Sequence, residues 1–123
     1  MVTLVLYKPQ IPPNTGNIMR LCSNTGFKLH LIKPLGFNLD DKSLKRAKLD
    51  YFSNTDPLIF EDLDLYIKNI NIKNLVIISK FGKQKYTDAQ FTNNSIIIFG
   101  SETDGLPKDY IEKYKNKTFR IPM

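Results

Sequence analysis

Short apolar runs alternate along this chain with polar stretches that carry helical spacing. Thr3-Leu4-Val5-Leu6-Tyr7 is a run of β-formers and predicts a buried strand. Pro9, Pro12 and Pro13 stop it. A helix is predicted from about Asn14 to Asn24, with Ile18, Leu21 and Cys22 at helical spacing and Asn24-Thr25-Gly26 as its end signal. Phe27 to Ile32 reads as a second strand, and Pro34-Leu35-Gly36 as a turn. Asp40 or Asp41 then caps a basic helix bearing Lys42, Lys45, Arg46 and Lys48. Pro57 to Phe60 predicts a short third strand. Glu61 to Ile70 places Leu63, Tyr66, Ile67 and Ile70 on one helical face. Leu75-Val76-Ile77-Ile78-Ser79 reads as a buried strand that runs into the basic, aromatic loop Lys80–Tyr86. A strand near 95–99, a helix from about Pro107 to Tyr114 and a strand at Thr118-Phe119-Arg120-Ile121 complete the pattern. This alternation predicts an α/β fold, a mostly parallel sheet with helices on both faces.

With 123 residues there is room for one core, and a hydrophobic content of 41% suits a folded domain. No repeat or low-complexity linker divides it. Lys and Arg total 18 against 12 Asp and Glu, a net charge of +6. A polyanion is one reading of that excess, and a lysine-rich compositional bias is the other. Arginine is scarce: Arg20, Arg46 and Arg120. A planar fork is hard for lysine to replace, so each invites a reason. The single Cys22 excludes an intrachain disulfide and a cysteine zinc cluster, and reads as a buried structural thiol. His30, between Leu29 and Leu31, has no second histidine to join it as a metal ligand, and reads as structural. No apolar run is long enough to cross a membrane and no signal peptide opens the chain, so a cytoplasmic location is expected.

Two segments carry candidate chemistry. Phe99-Gly100-Ser101-Glu102-Thr103-Asp104-Gly105-Leu106-Pro107 ends a strand in a glycine-spaced acidic loop. Open α/β sheets bind ligands at that carboxyl edge, and a small polar cofactor is expected there. The loop lacks the Lys-Ser or Lys-Thr of a phosphate-binding loop and does not match the dinucleotide fingerprint. The plainer alternative is a turn with both glycines at positive φ and Glu102 in solvent. The second segment, Ile11-Pro12-Pro13-Asn14-Thr15-Gly16-Asn17-Ile18-Met19-Arg20, precedes and enters a helix. Free amides there, helped by Asn14 and Asn17, would make an anion site with Arg20 turned toward it. The alternative is a capped helix whose asparagines satisfy turn amides. A lone carboxylate argues against metal-assisted hydrolysis, and one histidine leaves little from which to build a nucleophilic triad.

Several motifs fall in order along the whole chain. They are Asn14-Thr15-Gly16-Asn17-Ile18-Met19-Arg20-Leu21-Cys22 with Asn24-Thr25-Gly26; Asp40-Asp41-Lys42, Arg46-Ala47 and Leu49-Asp50-Tyr51; Gly100-Ser101-Glu102-Thr103 with Gly105-Leu106-Pro107; and Arg120-Ile121-Pro122-Met123. In order and spacing the chain resembles the tRNA wobble-nucleotide ribose 2′-O-methyltransferases of the SPOUT superfamily, proteins with a deep trefoil knot. The resemblance implies S-adenosyl-L-methionine as cofactor, contacted by Ile78, Gly100 and Ile121, with Gly105 and Leu106 shaping the loop. It implies that Arg20 stabilises the developing alkoxide or the adjacent phosphate, and that Glu102 organises the cofactor loop or the substrate pocket rather than acting as base. Methyl transfer is an in-line displacement that needs positioning and desolvation more than a metal. The tRNA anticodon stem-loop would be held by Asn14, Asn17, Lys42, Arg46 and the loop Lys80–Tyr86, one splayed base stacking on an aromatic. A homodimer, with Arg20 reaching a site shared with the partner, is also implied.

The resembled family continues past Arg-Ile-Pro-Met into a serine- and asparagine-rich loop and a closing helix. On this reading the sequence is a single domain over 1–123 lacking that segment, and an incomplete knot with impaired cofactor binding is expected. Two alternatives to an active enzyme follow: a non-catalytic tRNA-binding remnant of the family, or an unrelated nucleotide-binding α/β domain.

Overall fold

The computed structural model describes residues 1–38, 42, 57–82 and 84–121. Among them, seven strands form one sheet: β1 (Thr3–Tyr7), β2 (Lys28–Ile32), β3 (Leu58–Phe60), β4 (Leu75–Ile78), β5 (Gln84–Lys85), β6 (Ile96–Phe99) and β7 (Thr118–Arg120). Their spatial order is β3-β2-β1-β6-β4-β7-β5, and every neighbouring pair is parallel. Among the described residues, the helices with both ends defined are α1 (Pro12–Thr25), α2 (Leu63–Lys68) and α3 (Lys108–Lys113). The predicted basic helix falls outside the described residues except for Lys42, which is exposed.

Alternation along the strands explains the two layers of core. Val5, Tyr7, Ile32, Ile77 and Ile98 point to one face, where Leu63, Tyr66 and Ile67 of α2 and Tyr110 and Ile111 of α3 cover them. Leu4, Leu29 and Leu31 point to the other, under Met19 and Cys22 of α1. Leu31, Ile32, Ile77, Ile98 and Val5 are fully buried, each contributing about 1.5–3 kcal/mol from apolar burial. Strands covered on both faces must be near-continuously apolar, which is the run pattern in the sequence.

Local chemistry sets the helix ends. α1 begins two residues before its predicted start because Pro12 and Pro13 occupy its first turn instead of ending the preceding loop. Proline fits there, since its fixed φ is helical and its missing N–H has no partner to lose. Gly26 closes α1 at φ 78°, donating its N–H to the Cys22 carbonyl. α2 is capped by Asp62, whose carboxylate accepts the Leu65 N–H at 2.8 Å. Tyr110 of α3 donates its hydroxyl to Asp64 of α2, which ties the two helices together. Burial and Asp64 push the Tyr110 hydroxyl well above its usual pKa.

Strand β5 lies in the segment that the sequence pattern predicts as loop. Its two polar residues carry no apolar signal, and its pairing with β7 is tertiary: Gln84 lies opposite Phe119 and Lys85 opposite Arg120.

The sheet has a switch point between β1 and β6. From β1 the chain crosses through α1 to β2 on one side; from β6 it crosses through α3 to β7 on the other. Opposed crossovers leave a crevice above the carboxyl ends of those strands.

Candidate active site

The site grows from the carboxyl ends of β1, β6, β4 and β7. Ile78 pairs with Phe99 across β4 and β6, and with Phe119 across β4 and β7. Gly100 directly follows Phe99, and Ile121 lies two residues past Phe119. The structure thus brings Ile78, Gly100 and Ile121, far apart in sequence, to the ends of three adjacent parallel strands. Ile78 and Gly100 are half-buried, and Ile121 is 40% exposed.

Gly100 admits the close return of its own loop. A Cβ at this position would meet the Gly105 carbonyl carbon at 2.6 Å and the Leu106 nitrogen at 2.7 Å. Ser101 and Gly105 close the turn with paired backbone bonds of 3.3 and 2.9 Å, and Gly105 takes the left-handed conformation at φ 65°. Of the two glycines predicted at positive φ, only Gly105 has one. Leu106 sends its side chain into the core beside Val5 and Ile98, anchoring the turn from below.

Glu102 is exposed but not simply solvated. Its carboxylate accepts the Ile11 N–H at 2.8 Å and the Gln10 N–H at 3.1 and 3.3 Å. That arrangement corrects two sequence expectations. The Glu102 carboxylate ties the turn after β6 to the β1–α1 loop instead of standing in solvent, and the amides before α1 are not free for an outside anion. Pro12 and Pro13 have no N–H to offer, and the Asn14 amide bonds to the Ile11 carbonyl at 3.1 Å. The helix start carries no side-chain cap of its own.

Asn14 and Asn17 lie inside α1 with exposed side chains. Asn17 Oδ1 accepts a bond from Arg20 Nη1 at 3.1 Å, which orients the guanidinium along the helix. Thr15 Oγ1, on the same helix five residues before Arg20, is buried without a hydrogen-bond partner. Arg46 lies outside the described residues.

The loop after β4 was named for its charge, but its backbone is as informative. Ser79 donates its N–H to the Phe119 carbonyl at 2.9 Å, and Gly82 donates to the Ser79 carbonyl at 3.1 Å. A Cβ on Gly82 would meet the Phe119 carbonyl carbon at 2.6 Å, so this loop crosses directly over β7. Only glycine fits there, and an isolated Gly after an apolar run is the signal that could have marked it. Phe81 is 58% exposed with the Lys80 ammonium 5.2 Å from its ring centroid. A pocket of about 320 Å³ opens beside α3, lined by Phe81, Gly82, Lys108, Ile111, Lys115 and Thr118. Ile78, Gly100 and Ile121 take no part in its wall.

Cys22 and His30 keep the structural roles read from sequence. Burial pushes the Cys22 thiol up to about 11, so it carries little thiolate at neutral pH. His30 Nδ1 lies 2.7 Å from the Tyr66 hydroxyl, within a ring cluster that includes Phe60. Among the described residues no group of three or more His, Cys, Asp or Glu is placed to hold a metal ion. None of their helices is long and apolar enough to cross a membrane.

The model of the SpoU rRNA Methylase family matches residues 1–123. The chain belongs to that family. An Escherichia coli (strain K12) relative, a tRNA (cytidine(34)-2'-O)-methyltransferase, is 41% identical over 124 residues, covering 100% of this chain and 79% of the relative. A structure solved for insight into the 2-OH methylation of C/U34 on tRNA superposes with a TM-score of 0.87 at 35% identity, covering 100% of this chain and 80% of that one. The SpoU methyltransferase AviRb from Streptomyces viridochromogenes, solved with AdoMet, shares the fold at a TM-score of 0.80 and 19% identity, covering 98% of this chain and 48% of that one. SpoU-type methyltransferases therefore have this mostly parallel, two-faced sheet, as the sequence pattern implied.

A donor such as S-adenosyl-L-methionine suits the residues at the strand ends. Gly100 lets the turn fold back against the strand end with no side chain between, Ile78 and Ile121 add apolar surface, and the Thr15 hydroxyl is an unpaired polar atom in the first half of α1. A buried orphan of this kind calls for a water or a ligand atom.

Proposed function

We propose that this protein transfers a methyl group from S-adenosyl-L-methionine to the ribose 2′-hydroxyl of the wobble nucleotide, cytidine or a modified uridine, in tRNA anticodons. The observation that carries the proposal is the meeting of Ile78, Gly100 and Ile121 at three adjacent strand ends, in a chain 41% identical to a tRNA 2′-O-methyltransferase along its whole length.

The bound cofactor supplies an electrophilic methyl group on a sulfonium centre. The protein's part is to place and desolvate the groups around it. Backbone at Gly100, Gly105 and Leu106 shapes one wall of the donor site, and Ile78 and Ile121 exclude water from it. Arg20 faces the acceptor ribose, its guanidinium stabilising negative charge on the 2′-oxygen or the neighbouring phosphate. Asn17 holds that guanidinium from within the same helix. Lys42 and Arg46 contact phosphates of the anticodon stem-loop with Asn14 beside them, and Phe81 offers a face for an unstacked base. The enzyme works in the cytoplasm as a homodimer, with Arg20 completing the partner's site.

The test is incorporation of labelled methyl from S-adenosyl-L-methionine into tRNA with a pyrimidine at the wobble position. Wild-type protein transfers label to the 2′-oxygen, and Arg20→Ala lowers the rate at least 100-fold, the loss of about 2.7 kcal/mol of transition-state stabilisation. Binding of tRNA without any transfer by the wild type would replace the enzyme with a binding protein. Transfer unchanged in Arg20→Ala would remove the role given to that residue.

A further inference from the structure

Glu102 makes a long-range connection that neither the fold nor the donor site requires. It sits on the tip of the turn after β6, and its carboxylate spans the switch crevice to the amides of Gln10 and Ile11, 92 and 91 residues away in sequence. Ile11 is the N-cap residue of α1. In a capping box, a glutamate three residues into the helix reaches back to the amide of the N-cap residue. Here the same amide is satisfied by a glutamate from another loop. The negative charge also faces the positive end of the α1 dipole, a favourable placement.

Both ends of this contact are stiff. On the β6 side, the Ser101–Gly105 closure and the backbone contact at Gly100 make the turn a single compact unit. On the α1 side, Lys8 takes a left-handed φ of 46°, Pro9 is buried, and Gly36 donates to the Pro9 carbonyl at 2.9 Å. The Gln10 side chain bonds the Lys8 carbonyl at 2.9 Å, and its Oε1 fills the space that a Cβ on Gly36 would need. Prolines at the first two helical positions fix the direction in which α1 leaves. Eight residues of helix, about 12 Å, then separate Pro12 from Arg20, so a tilt at Ile11 becomes a displacement of the guanidinium.

We infer that Glu102 is a positioning residue that couples occupancy of the donor crevice to the seating of α1 and its Arg20. The inference rests on the reading of Gly100–Leu106 as a wall of the donor site. Donor contact on that turn steadies Glu102, Glu102 steadies the Gln10 and Ile11 amides, and α1 holds Arg20 in register with the acceptor. By reciprocity, a ribose engaged by Arg20 tightens the donor site.

Hydrogen exchange and kinetics on the intact protein test this together. S-adenosylhomocysteine, the spent donor, slows exchange of the Gln10 and Ile11 amides at least tenfold in wild-type protein. Glu102→Gln keeps the size of the side chain but removes its charge and leaves a single acceptor oxygen for the two N–H groups. In that variant the slowing is less than twofold, kcat for methyl transfer falls at least tenfold, and the dissociation constant for S-adenosylhomocysteine changes less than threefold. Glu102→Asp keeps both oxygens on a shorter stem and retains an intermediate kcat, which covers the case of a glutamine variant that does not fold. Amide exchange in the wild type that ignores the bound ligand overturns the coupling. So does an unchanged kcat in either folded variant. Wild-type protein that binds S-adenosylhomocysteine with slowed amides but methylates no tRNA would sink the proposed function while leaving the coupling standing.

Discussion

Gly100 and Gly105 stand five residues apart in one turn and answer different physical demands. Gly105 has a left-handed φ of 65° with open space where a Cβ would go, whereas a Cβ on Gly100 would run into backbone at 2.6 Å. Alanine at 105 pays a conformational cost of about 1–2 kcal/mol. Alanine at 100 costs about 1–3 kcal/mol by overpacking and pushes the turn off the strand end. Thermal denaturation should register both losses, while calorimetry with S-adenosyl-L-methionine should register at least a tenfold weakening only for Gly100→Ala. Equal weakening in the two variants would mean that Gly100 does not form the donor wall. The sequence displayed both glycines but not this difference, because the clash partner is set by how the turn closes. Glu102 was visible too, yet its partners were not: Gln10 and Ile11 lie at the other end of the chain. The expected anion site before α1 is absent for a local reason: Pro12 and Pro13 are the helix's own first residues, and Glu102 already bonds the Gln10 and Ile11 amides.

Among the elements, β2, β3 and α2 meet at a ring cluster with a titratable centre. His30 on β2 lies between the Tyr66 hydroxyl and the Phe60 ring. Burial, and then the nearby Lys28, hold the His30 pKa below its ordinary 6.5, and burial pushes the Tyr66 hydroxyl up to about 12. At neutral pH an uncharged imidazole therefore shares a hydrogen bond with a protonated tyrosine hydroxyl. A lowered folded-state pKa means that the unfolded chain binds the proton more readily. Stability is thus full above about pH 6.5 and declines as pH falls from there toward the folded-state value. Urea midpoints measured between pH 7.5 and 5 should fall on acidification, and the His30→Gln variant should lose part of that slope. An identical slope would place the sensitivity elsewhere. The strands of this region were legible because aliphatic runs such as Leu29–Ile32 have few other uses. Strand β5 was not, because Gln84 and Lys85 are strand only by virtue of Phe119 and Arg120 beside them.

At the scale of the molecule, a net charge of +6 and a doubly covered parallel sheet describe an RNA-modifying enzyme more narrowly than either does alone. Affinity for tRNA should fall linearly on a log–log plot against salt. Replacing Lys42 and Arg46 with glutamine should reduce that slope by about 1.4 if both neutralise phosphates of a single strand. A slope unchanged by the double substitution would take the 42–48 segment off the RNA. The site was legible in outline because parallel sheets put their ligand edge where strands end in glycine. Its assembly was not, because strand order is decided by crossovers that no local pattern records.

That strand order has a consequence for a chain emerging from the ribosome. Residues 118–120 take an interior place between β4 and β5, both made earlier. Until they arrive, β4 presents an open hydrogen-bonding margin, and Ser79 and Gly82 have nothing to lie across. A nascent polypeptide halted near residue 110 would expose that margin as a template for stray pairing with other chains, so the arrival of β7 guards this protein against aggregation.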